Sequence, residues 1–122
     1  MKDMADIQKP TWIIHGVYEE EGIVYHTHGL KDYDSLELEL NLSLPEDNAM
    51  IFLNIIGLRI ANGTIYQDND VANDLFNLPI IFKEVEGISS DSHERHLRVI
   101  FPDANGKFPW DDGCNPDYAK QI

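Results

Sequence analysis

The chain has 122 residues, 43% of them apolar and 25% charged, which fits one folded domain of ordinary size and argues against a disordered chain. Its 22 acidic residues against 9 basic ones give a formal net charge of −13. Such a field repels phosphate backbones and anionic lipid surfaces, so neither nucleic-acid nor membrane-surface binding is expected, whereas a basic protein partner or plain solubility suits it.

From the N-terminus, Met1-Lys2-Asp3-Met4-Ala5-Asp6 is polar and mixed in charge, without the apolar run of a leader. Residues 1–8 read as a flexible tail and 9–122 as a single domain. No later run approaches the roughly 20 apolar residues of a membrane span. Cys114 is the one cysteine, and a lone thiol points to a reducing compartment, with the cytoplasm as the expected location.

Thr11 to Tyr18 and Ile23 to His28 are β-rich runs joined by Glu19-Glu20-Glu21-Gly22, which predicts a hairpin. The period of two puts Trp12, Ile14 and Tyr18 on one face, and Ile13, His15 and Val17 on the other. Gly29 permits a sharp exit. Leu36 to Leu42 alternates leucine with polar residues and predicts a strand with one buried and one wet face, Glu37 and Glu39 lying on the wet one.

The main helix follows. Ser43 and Glu46 have the spacing of a capping box, Pro45 lies in the predicted first turn, and Asn62-Gly63 supplies the stop after Ala61. Ala49, Leu53, Ile56, Gly57 and Ile60 form one apolar stripe. Met50, Ile51, Phe52, Ile55 and Leu58 spread apolarity around it, so the helix asks for cover on more than one side. Ile65-Tyr66 reads as a short strand and 71–76 as a helical turn. Ile80 to Glu86 and Leu97 to Phe101 read as strands around a turn at 87–92. From Pro102 the chain is rich in turn formers, with Phe108-Pro109-Trp110 expected to pack back on the domain. The fold class that results is α+β: an antiparallel sheet of about five strands, one main helix packed on one face, and a loop-rich C-terminal segment.

The polar residues with chemistry to offer are the histidines. His26 and His28 share one strand face and can reach one metal ion, and His93 with His96 makes a second pair. No H-E-x-x-H, paired-cysteine or carboxylate-triad pattern accompanies them, so the expectation is a polar cluster with no metal and no cofactor. Cys114 lies in an acidic loop that raises a thiol pKa. Ser89, Ser90 and Ser92 lack a nucleophile elbow, and no glycine loop cradles phosphate, so no catalytic constellation is evident.

The stretch Leu97-Arg98-Val99-Ile100-Phe101-Pro102-Asp103, with Gly106-Lys107-Phe108-Pro109-Trp110-Asp111-Asp112-Gly113-Cys114, resembles the C-terminal signature of a bacterial family named domain of unknown function 4262. Tyr25-His26-Thr27-His28-Gly29-Leu30 is similar to its other marker, an aromatic–Tyr-Thr-x-Gly-Leu run, with His26 in place of the usual tyrosine and His28 at a variable position. The resemblance covers about residues 11–118 and marks Thr27, Gly29, Leu30, Pro102, Asp103, Phe108, Pro109 and Trp110 as signature positions. It implies no activity.

Two functions of different classes fit these observations. The first is a non-enzymatic protein-binding module, in one form an immunity-type protein whose acidic face neutralises a basic effector. The second is a small metal-dependent hydrolase built on the His-x-His strand, which needs a third ligand to converge on the pair. A homodimer through the main helix or an edge strand is compatible with either.

Overall fold

The computed structural model describes residues 12–19, 22–86 and 95–122. The tail read over 1–8 and the turn read over 87–92 lie outside them. Among the described residues six strands form one sheet in the order β1-β2-β3-β6-β5-β4. The strands are β1 (Ile13–Glu19), β2 (Gly22–His28), β3 (Glu37–Leu40), β4 (Val71–Ala72), β5 (Ile80–Glu86) and β6 (Arg95–Ile100). The main helix, α1 (Glu46–Ala61), follows β3, and a short α2 (Pro116–Ala119) lies near the C-terminus.

β1 and β2 form the expected hairpin, with His15 opposite His26. The sheet is mixed, however, and has six strands rather than five. β3 and β6 run parallel at its centre, and the other pairings are antiparallel. The reason is the long connection between them. A parallel neighbour requires a crossover, here made by α1 and the β4–β5 pair, and no hairpin can supply it.

The leucine alternation in β3 is borne out, since Leu38 and Leu40 are fully buried. The wet face is not. Glu37 and Glu39 are buried as well, because polar partners from β2, β6 and the turn after β2 close over them. Ile65-Tyr66, expected as a short strand, lie in an irregular connection, and Val71–Ala72 of the helical turn expected over 71–76 form β4 instead.

The predicted stripe of α1 is buried at all five positions. Ala49, Leu53, Ile56 and Ile60 belong to one hydrophobic cluster with Leu38, Leu40, Phe82, Leu97 and Val99 of the sheet. Gly57 is the seat of an indole: a Cβ there would lie 2.6 Å from the Trp12 ring, whose Nε1–H donates to Asn54 at 3.0 Å. The capping box does not form. Pro45 precedes the first helical residue, no side chain caps it, and the Ser43 hydroxyl accepts from the Ile23 amide instead. Proline's fixed φ prepares the helix entry without a side-chain cap. Gly63, at φ 106°, ends the helix as expected.

Candidate metal centre on the polar sheet face

Pairing carries side chains of one face into lateral rows, because residues directly opposite each other point the same way. His15 pairs with His26, His26 with Glu39, Glu39 with Arg98, and Arg98 with Lys83. One row of titratable residues therefore crosses five strands. His28 lies two residues beyond His26, and His96 two residues before Arg98, on the same face.

At the β1 end of this row three imidazoles meet. Ring nitrogens of His15, His26 and His28 all lie within 4.8 Å of one another, with His26 buried and the other two exposed. The ring centroids are 5.2 Å apart for His15–His26, 5.7 Å for His15–His28 and 4.6 Å for His26–His28. A tetrahedral zinc ion with bonds of about 2.0–2.1 Å asks for ligand nitrogens about 3.3 Å apart. His15 and His28 are exposed and free to change rotamer, whereas buried His26 is held in place.

Behind the imidazoles lies a buried ion pair. Glu39 Oε1 accepts from Arg98 Nε at 2.9 Å and lies 2.8 Å from Nη2, while Oε2 lies 3.2 Å from His96 Nδ1. Burial pushes the Glu39 carboxyl up, but the His96 hydrogen bond and the charge and hydrogen bond of Arg98 outweigh it and hold the group below the ordinary carboxylate range. An ionised carboxylate only accepts, so the His96 contact is an Nδ1–H donor. The His96 ring stacks 5.9 Å from that of His26, joining the pair to the imidazole cluster.

The C-terminal segment locks onto the other side of this pair. Arg98 Nη1 donates to the Gln121 carbonyl at 3.1 Å, and the buried Gln121 amide bridges the backbone N–H and C=O of Phe101, each at 2.7 Å. Further along, Lys83 Nζ sits 5.5 Å from the Trp110 ring, which stacks on Phe108. Phe108 and Pro109 are half-buried as expected, but Trp110 is 48% exposed, because its ring meets neighbouring Phe108 and the Lys83 ammonium rather than the core cluster.

The signature positions fasten the backbone. Thr27 Oγ1 donates to Glu37 at 2.8 Å and accepts from the Leu38 amide. The Glu37 carboxylate also takes the amides of Gly29, Leu30 and Lys31, which fixes the 3-10 turn Leu30–Tyr33 directly after the two β2 histidines. Gly29 enters that turn at φ 120°, a conformation open to glycine. Leu30 and Pro102 are buried. Asp103 accepts from the amides of Asn105, Lys107 and Asn115, and these backbone bonds, Asn115 first, hold its carboxyl below the ordinary range. Cys114 is a poor nucleophile: burial, then the charges of Asp103 and Asp111, pushes its thiol up.

Of the four histidines singled out from sequence, His26, His28 and His96 come together on one face, and His93 lies outside the described residues. His15, the third imidazole of the cluster, is not among those four. Its signal was the hairpin itself, since a two-residue connection after Glu19 places position 15 opposite 26. Glu39 and Arg98 carried no sequence signal as a pair, being 59 residues apart.

No helix among the described residues is long and apolar enough to cross a membrane. Residues 6–115 match the family described as Domain of unknown function (DUF4262). No curated protein and no solved structure matches the chain.

Proposed function

The chain belongs to the DUF4262 family, and we propose that this member is a metal-binding domain that holds one divalent ion of the zinc class at His15, His26 and His28. The observation that supports this reading is the approach of three imidazole nitrogens to within 4.8 Å, from two paired strands. Imidazole suits zinc, copper and nickel better than it suits magnesium or calcium, which prefer oxygen. Three protein ligands leave a fourth position, and exposed His15 and His28 put it at the surface. Water bound there by zinc has its pKa lowered to about 7, which is the chemistry a small hydrolase uses. A cytoplasmic location is part of the proposal and rests on the lone thiol of Cys114.

Titration calorimetry with zinc, nickel and magnesium chlorides tests it. The expected result is one zinc per chain, weaker nickel, no magnesium, and at least a hundredfold loss in both His15→Ala and His28→Ala. Substoichiometric zinc, or affinity unchanged by either substitution, would overturn the proposal.

A further inference from the structure

A groove of about 540 Å³ opens between α1, the loop after β4 and the C-terminal segment. Leu44, Phe52, Phe76, Leu78, Phe101 and Tyr118 line it. Phe52, Phe76 and Phe101 form its floor, with ring centroids 5.0, 5.2 and 5.9 Å apart. Leu78 stands 37% exposed at the rim. None of these residues takes part in the histidine cluster, and the groove owes nothing to a bound metal.

Exposed carboxylates neighbour the lining residues in the sequence. Glu46 and Asp47 are exposed in the first turn of α1 beside lining residue Asn48, Asp74 is exposed next to Leu75, and Asp117 is exposed next to Tyr118. Of these, Asp74 is paired with Arg59 at 3.1 Å. The whole chain adds a net charge of −13 to that local field. An apolar floor with such carboxylates near it is complementary to one kind of occupant.

We infer that the groove between Phe52, Phe76 and Phe101 docks a basic amphipathic segment of another protein. Two or three apolar side chains of that segment enter over the phenylalanines, and its Lys or Arg residues face these carboxylates. Aromatic floors of this sort carry most of an interface's affinity, while the rim charges set the rate and the partner's sign.

The test uses the full chain and a synthetic 14-residue peptide with leucine at i, i+3, i+4 and i+7 and lysine elsewhere, beside the same peptide with glutamate for lysine. Backbone amide NMR shifts are followed during titration at low and high salt. The expected result is saturable binding of the lysine peptide alone, with shifts centred on 75–78, 101 and 118. Affinity falls at least tenfold at high salt and at least tenfold in Leu78→Lys, a rim change that leaves the floor intact. Asn77→Lys, at an exposed neighbour, gives the same loss. Shifts scattered over the acidic surface, shifts centred on Met50, Ile51 and Leu58, or affinity unchanged in both variants would overturn the inference. So would a concentration-dependent dimer that Leu78→Lys dissolves, because the occupant would then be a second copy of the chain.

Discussion

The two faces of β3 are equally dry and are kept dry in different ways. Leu38 and Leu40 meet other apolar side chains, a non-directional contact that any well-shaped neighbour satisfies. Glu37 and Glu39, on alternate positions of the same four residues, are buried only because specific donors reach them. Burying a charge without such partners costs far more than burying a leucine returns. The apolar face supplies the bulk of the folding energy, while the polar face sets which side chains stand beside which, and that is what brings the histidines together.

The largest effect separating the faces is expected on the apolar one. Phe82 is fully buried, stacks on Tyr66 at 4.3 Å and belongs to the cluster shared with α1. Phe82→Ala is expected to cost about 3–5 kcal/mol, the lost transfer energy plus a cavity. Urea unfolding measures it, and a loss below about 1 kcal/mol would show that this face is not the core.

That face was legible in the sequence. The leucines of 36–42, the stripe from Ala49 to Ile60 and the run from Ile80 to Glu86 all betray themselves by local period, and the structure bears each out. What local period cannot carry is lateral register. Whether Glu39 faces water or an arginine depends on β6 arriving beside β3 in parallel, after a crossover that leaves no mark in either strand. The default reading of an alternating strand, polar side out, fails there. The histidine site was half legible: His26 and His28 share a strand face by spacing alone, whereas His15 needed the hairpin's register, which the acidic connection over Glu19 to Gly22 left open. The signature residues Thr27, Gly29 and Asp103 were visible as a resemblance, and only their hydrogen bonds show that they hold backbone rather than ligand.

On the polar face the expected effect is smaller and depends on pH. Glu39→Gln keeps the shape but removes the charge, leaving Arg98 buried beside a neutral acceptor, and is expected to cost about 2–3 kcal/mol at pH 7. The Glu39 carboxyl is held below its ordinary value, so folding gains from its ionisation above the unfolded-state pKa of about 4.3, and the gain is lost as pH falls through the lower, folded value. The stability gap between wild type and Glu39→Gln should therefore close as pH falls from about 5 towards 2. Urea titrations along that range decide it, and a gap that stays constant would mean that charge is not what Glu39 contributes. Asp103, also held low, keeps its own acid-side loss in both proteins, so it cancels in the difference.

The smallest effect is the most discriminating, because it separates a site from a scaffold. His15 is exposed on edge strand β1, and its nearest ring neighbours are the other two imidazoles. Without metal, His15→Ala is expected to shift stability by no more than about 0.5 kcal/mol, as surface changes do. With zinc at about a hundred times its Kd, the wild-type chain gains about 2.7 kcal/mol, since an ion that binds only the folded state stabilises it by mass action. The variant, left with two imidazoles on one strand, gains little. Thermal melts of both proteins with zinc and with chelator give the four numbers needed. A large loss in the metal-free variant would assign His15 to the polar scaffold beside Glu39. A small loss together with a missing zinc shift would assign it to the ion, and would mark the open end of the polar row as the part of this face that the fold itself does not need.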